Sequence, residues 1–272
     1  MKVSVSTAFF GRSTPDVIKY YKEANIDAVE IAGLSPARVD DYDFEGIKSE
    51  CDRYGVELRS LHLPFSYEQS IAHPDKETRR RAVALDKHAI DIASGLGIKI
   101  CVLHPSSEPN EDKDREYLLS CCEENSADLC EYANSLGIEL ALENLPRSCL
   151  CNTPDEMIRV LKDIPNLKTC FDMNHFLPWK GAEPDNVGYI YRLKEEVGDR
   201  LITVHVSDYD FVDERHLFPL DGQNDWAGIV KALIETEYPG YFNYEIGYRR
   251  GIDEGKTLHD VRRNFETLFG LI

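Results

Sequence analysis

Eight short apolar segments of strand length recur along the chain, each followed by a longer amphipathic one. This alternation constrains the fold more than any other feature. The strand-like segments are residues 2–6, 27–31, 57–63, 99–104, 139–143, 167–172, 201–206 and 242–246. Strict strand–helix alternation implies parallel strands joined by right-handed crossovers. Residues 14–25 read as a helix, with Ser13 or Thr14 as cap and Pro15 in its first turn. Thr153-Pro154-Asp155-Glu156 opens another helix in the same way. Gly55, Gly97 and Gly137 close helices just before the next strand, where a left-handed C-cap suits glycine. No proline- or serine-rich linker divides the 272 residues. A doubly wound sheet would carry a glycine-rich phosphate loop after its first strand, and Phe9-Phe10-Gly11-Arg12-Ser13 stands there instead. The expected fold is α/β, a single (β/α)8 TIM barrel forming one domain over residues 1–272.

Composition matters for the choice of partner. Lys and Arg number 31 against 49 Asp and Glu, a formal charge of −18. Nucleic-acid binding needs a basic footprint that releases counterions, so no nucleic-acid partner is expected. No apolar run approaches the roughly 20 residues of a membrane span, and the N-terminus starts as a strand rather than as a signal peptide. A cytoplasmic protein with no membrane partner is expected, and a homo-oligomer is compatible with the sequence. Of the eight cysteines, Cys51, Cys101, Cys130 and Cys170 fall in periodic apolar segments and read as core residues. Cys121-Cys122, Cys149 and Cys151 read as exposed free thiols.

In a barrel of this kind the C-terminal strand ends form the active face. Strands three and four end at His62 and His104, strand five at Glu143-Asn144, and strand six at Asp172-Met173-Asn174-His175. Strands seven and eight end at His205 and Glu245. Period-two alternation sends Leu140 and Leu142 to the helix layer and Glu143 into the barrel mouth. The same sorting places Cys170 beneath Asp172, Thr203 beneath His205, Asn243 beneath Glu245 and Ser60 beneath His62. Carboxylates converging there would repel one another unless a cation lay between them. Glu143, Asp172, His205 and Glu245 are the expected ligands of a divalent metal cation. Their mixed oxygen and imidazole donors suit Zn2+ or Mn2+ first, with Mg2+ or Co2+ admitted. Glu30, at the end of strand two, reads either as an orienting carboxylate or as half of a buried ion pair.

Ala141-Leu142-Glu143-Asn144, Phe171-Asp172-Met173-Asn174-His175, Val204-His205-Val206-Ser207-Asp208 and Tyr244-Glu245-Ile246 together carry a resemblance. Over essentially its whole length the chain resembles the xylose isomerase-like TIM-barrel superfamily of sugar isomerases and epimerases, inosose dehydratases and endonuclease IV. The resemblance implies a divalent-metal-dependent isomerase or epimerase of a small sugar or sugar phosphate. Glu143 and Glu245 would be the acid/base pair working through a metal-stabilised enediolate, and His175 a contact to a substrate hydroxyl. His62 and His104 match histidines that hold additional zinc in the endonuclease IV branch. Glu214-Arg215-His216 stands where that branch has an aspartate-x-histidine pair. The alternatives are therefore an endonuclease IV-like multi-zinc phosphodiesterase, an inosose-type dehydratase, and a non-catalytic metal- or sugar-binding barrel. Two positions depart from the ketose 3-epimerase pattern: Cys149 replaces a glutamate and Phe211 an arginine. Arg147, Lys180, Arg215 and Arg249 follow strand ends and could hold a phosphate, and Trp179 could stack on a sugar. Trp226 reads as loop packing, Arg79-Arg80-Arg81 as a solvated helix face, and His73, His88 and His259 as surface residues.

Overall fold

The computed structural model describes residues 1–176, 185–210, 212, 214–247 and 255–272. Eight parallel strands close a barrel in sequence order: β1 Val3–Ser6, β2 Ala28–Ile31, β3 Glu57–His62, β4 Ile100–Leu103, β5 Glu139–Glu143, β6 Lys168–Asp172, β7 Leu201–Val206 and β8 Phe242–Tyr244. The principal helices are α1 Ile18–Glu23, α2 Phe44–Tyr54, α3 Lys76–Gly95, α4 Arg115–Ser135, α5 Pro154–Asp163, α6 Asn186–Val197, α7 Trp226–Glu235 and α8 Leu258–Phe269. Strand one pairs with strand eight as well as with strand two, so the sheet has no open edge. The expected barrel is the observed one.

Local signals act where the sequence places them. Thr153 caps α5 through its side chain, with Pro154 in the first turn. Gly55, Gly97 and Gly137 adopt φ of 68°, 75° and 72°, the left-handed region that a side chain would strain. The segment expected as one helix over 14–25 instead opens with a 3₁₀ turn, Pro15–Val17, before α1. Thr14 does not cap a backbone N–H there; its hydroxyl donates to Asp16 Oδ1 at 2.6 Å.

Two packed regions follow from the strand alternation. Leu140, Leu142, Phe171 and Val204 join the large core between strands and helices. Ile100, Val102, Ala141, Cys170 and Ile202 form a small apolar cluster inside the barrel. Ile202 is there because the register slips between Thr169 and Cys170, which pair with Leu201 and Thr203. A comparable slip skips Arg59 in β3. Both lie below the mouth, so Ser60–His62 and Thr203–His205 keep their phase. Among the described residues no helix is long and apolar enough to cross a membrane.

The expectation that Cys121, Cys122, Cys149 and Cys151 are exposed is incorrect, for all eight cysteines are buried and free. The buried side of α4 is wide and takes both Cys121 and Cys122. Cys149 and Cys151 lie in a loop drawn onto the barrel by Arg115. That side chain donates to the carbonyl of Cys149 at 2.8 Å and pairs with Glu156. Native protein should therefore react with Ellman's reagent at none of its eight thiols and at all of them in guanidinium. Rapid labelling of Cys121 or Cys149 under native conditions would contradict this packing.

Candidate metal and substrate site

The C-terminal strand ends enclose a cleft of about 200 Å³, lined by His62, His104, Glu143, His175, His216 and Glu245 among others. Glu143 lies at its base, fully buried, and is surrounded by imidazoles. Its Oε2 is 3.1 Å from His62 Nε2 and 3.3 Å from His104 Nε2. Its Oε1 is 2.9 Å from His205 Nδ1. The same nitrogen is 2.8 Å from Glu245 Oε2 and 3.8 Å from Asp172 Oδ2. The donor atoms of Glu143, Asp172, His205 and Glu245 thus lie within 4.8 Å of one another. His62 with Glu143 and His205, and Asp172 with His175 and His216, form two further close donor groups.

Hydrogen bonds outside the cluster aim these donors. Asn144, one residue beyond β5, clamps the end of β6: its Nδ2 donates to the Asp172 carbonyl at 2.9 Å and its Oδ1 accepts the Asp172 N–H at 2.8 Å. Asp172 Oδ1 accepts the Asn174 N–H at 2.6 Å, while Oδ2 is buried with no hydrogen-bond partner. An orphaned carboxylate oxygen directed at three other donors is what a bound cation would satisfy. His62 Nδ1 lies 2.9 Å from the Leu63 carbonyl, and His175 Nδ1 lies 2.8 Å from the Asn144 carbonyl. Donation to those carbonyls places a proton on Nδ1 and turns each Nε2 toward the carboxylates of the cleft, Glu143 for His62 and Glu214 for His175.

The electrostatics follow from burial opposed by pairing. Burial pushes the Asp172 carboxyl up to about 6, against the pull of His175 and His216. Glu143 and Glu245 feel the same burial, but His205 and the other imidazoles outweigh it and hold both well below the usual carboxylate range. Burial disfavours the imidazolium of His62 and His104 alike. Glu143 nonetheless raises His62 above its ordinary value, while His104 stays below it. Burial likewise opposes protonation of His216, yet the hydrogen bond to Glu214 raises it to about 9. Oppositely displaced pKa values among neighbouring groups mark candidate functional sites.

Glu214 and His216 reach the cleft on a long loop after β7. Glu214 Oε1 lies 3.0 Å from His216 Nε2 and 3.3 Å from His175 Nε2. The loop is organised by Asp208, a residue whose importance strand-end reasoning missed. Its buried carboxylate accepts N–H groups from Tyr209, Leu220, Gly222, Asn224 and the Trp226 indole at 2.8–3.1 Å. A Cβ at Gly222 would fall 2.5 Å from Asp208 Oδ1, so only glycine permits that approach. The available signal was Asp208 followed by a glycine- and asparagine-bearing loop ending at a tryptophan. Removing the carboxylate would strand several buried donors at about 1–3 kcal/mol each. Asp208→Ala should therefore lower the melting temperature by roughly 6–12 °C, the equivalent of about 3 kcal/mol in a chain of this size. A shift below about 1 °C would contradict the role given to this carboxylate.

The remaining predicted residues divide. Arg147 is at the cleft but engaged: Nε donates to Glu108 at 2.7 Å and Nη1 to Glu214 at 2.6 Å. Arg215 turns away from the cleft lining toward Asp210, 3.5 Å distant. Cys149 lines the cleft, and burial pushes its thiol up to about 11. Trp226 packs beneath its loop. Trp179, Lys180, Phe211 and Arg249 lie outside the described residues.

Comparison with known proteins follows the same lines. The profile of the family described as xylose isomerase-like TIM barrel matches residues 18–267. An uncharacterized protein of Methanocaldococcus jannaschii is 27% identical, the match covering 98% of this chain and 88% of that protein. Fructoselysine 3-epimerase of Shigella flexneri is 26% identical over 63% of this chain and 61% of its own length. The structure of a D-tagatose 3-epimerase-like protein superposes with a TM-score of 0.80 at 26% identity, covering 100% of this chain and 97% of that one. D-psicose 3-epimerase of Clostridium cellulolyticum H10 shares the fold, with a TM-score of 0.79 at 20% identity over 99% of this chain and 97% of its own.

Proposed function

The chain belongs to the xylose isomerase-like TIM-barrel family, and we propose that it is a divalent-cation-dependent epimerase or isomerase of a small carbohydrate, acting as one barrel domain. The observation that carries this reading is the convergence of Glu143, Asp172, His205 and Glu245 within 4.8 Å at the barrel mouth, with one Asp172 oxygen left unpartnered. Those four residues would hold the cation, with Zn2+ or Mn2+ suiting their mixed oxygen and imidazole donors. A divalent cation supplies the positive charge that acidifies a C–H next to a carbonyl.

This chain's own residues do the rest. Glu143 and Glu245 are held ionised by their imidazole neighbours, the state a general base requires. One removes the proton from the carbon beside the carbonyl and releases it to solvent; the other takes up a solvent proton and delivers it to the same or the neighbouring carbon. His175, its Nδ1 tied to the Asn144 carbonyl, presents Nε2 to a substrate hydroxyl. Among the described residues lining the cleft, Arg147 is the sole guanidinium or ammonium, and it is already paired with Glu108 and Glu214. That pairing supports a sugar without a phosphate over a phosphate ester, and the names of the epimerase relatives agree.

Protein reconstituted with Mn2+ or Zn2+ should convert at least one of D-tagatose, D-psicose, D-fructose, fructoselysine or a 3-keto-glycoside to an epimer or isomer visible by NMR. Turnover of sugar phosphates alone would move the substrate class. No product from any panel member with metal bound would overturn the reading.

A further inference from the structure

We propose that Glu30 is a positioning residue for the mouth cluster, a buried carboxylate that holds His205 with Nδ1 turned into the donor quartet. The inference rests on the reading that the quartet binds a divalent cation. Glu30 belongs to β2, a strand that contributes no donor to the cleft, and it is fully buried inside the barrel. Its Oε2 accepts the Ser60 hydroxyl at 2.7 Å, and its Oε1 accepts Asn243 Nδ2 at 3.0 Å. The same Oε1 stands 3.1 Å from His205 Nε2, an ion pair rather than an aligned hydrogen bond. His205 is the sole ion-pair partner of Glu30 among the described residues. A buried carboxylate is costly unless paired and hydrogen-bonded. This one is aimed by two neutral donors at one nitrogen of one imidazole.

A neutral imidazole has one lone pair, and the partner of one nitrogen decides whether the other carries it. With Nδ1 given to a cation, the negative charge of a carboxylate 3.1 Å from Nε2 would favour the ring proton on that side and make the ring a stronger donor. On its Nδ1 side His205 meets Glu245 at 2.8 Å and Glu143 at 2.9 Å. His62 and His175 have their outward nitrogens against backbone carbonyls, whereas His205 has a carboxylate. Glu30 therefore singles out the histidine at the centre of the cluster.

The rival role is mere bracing of β3 against β8 through Ser60 and Asn243. Titration of chelator-treated full-length protein with Co2+, followed by its visible absorption, separates the two. Glu30→Gln keeps the size and removes the charge, and should weaken Co2+ binding by roughly 10–100-fold. In a His205→Asn background the same change should alter affinity by less than about threefold, because the coupling runs through the ring. Should Glu30→Gln fail to fold, 15N NMR of the Zn2+-loaded wild type gives an independent readout: His205 coordinated through Nδ1 with a protonated Nε2. Wild-type-like affinity in Glu30→Gln, an equal loss in both backgrounds, or coordination through Nε2 would each overturn this inference alone. A wild type that binds no Co2+ would overturn the cation reading and this inference with it.

Discussion

Replacing Glu143 by glutamine should lower turnover by on the order of 10²–10⁴-fold at saturating metal, the range expected when a general acid or base is removed. Glu143 meets His62, His104 and His205 at 2.9–3.3 Å in a fully buried position, so no water can take its place cheaply. Glu245→Gln should show a comparable loss. The two variants should differ in what they retain. If the glutamates serve the two sides of one carbon, each variant keeps proton exchange with the epimer whose hydrogen faces the surviving carboxylate. Glu143→Gln and Glu245→Gln should then wash deuterium into opposite epimers without interconverting them. Wild-type rates in either variant, with folding verified by circular dichroism, would remove that residue from the chemistry.

Removing the metal should have the second large effect. At about a thousandfold excess over its dissociation constant, a ligand that binds only the native state stabilises it by about 4 kcal/mol. For a chain of this size that corresponds to roughly 8–16 °C in melting temperature. Dialysis against a chelator should lower the melt by that order and abolish turnover, and Mn2+ or Zn2+ should restore both. A bound cation would relieve the mutual repulsion of Glu143, Asp172 and Glu245 and satisfy the Asp172 oxygen that has no hydrogen-bond partner. Elemental analysis should give one tightly held ion per chain. Three ions, occupying the His62 and Asp172–His175–His216 groups as well, would favour phosphoester cleavage instead. A melt and a turnover rate both indifferent to chelation would contradict the account.

The barrel and most of the cluster were legible because both depend on short-range periodicity. Glu143 above Ala141 and Asp172 above Cys170 follow from alternation alone, and those inward pairs are seen. The slips at Arg59 and Ile202 were invisible, since a one-residue bulge leaves no mark on an already apolar strand. They did no harm to the site because they precede the mouth. Loop-borne features were harder to see. Glu214 and His216 meet His175 because five N–H groups fold a long loop around Asp208, an arrangement that strand–helix periodicity does not encode. Cys149 and Cys151 were misplaced for a similar reason, their loop being held by Arg115 from a different helix. Arg147 was visible as a cation but not as one already shared by Glu108 and Glu214.

Solvent isotope incorporation tests the central claim most directly. Metal-loaded protein is incubated in ²H₂O with the sugar it converts, and the product is examined by ¹H and ²H NMR. Proton transfer by Glu143 and Glu245 predicts deuterium on the carbon whose configuration or oxidation level changes, because the glutamate that returns the proton has exchanged with solvent. Product formed with no carbon-bound deuterium would contradict glutamate-mediated proton transfer.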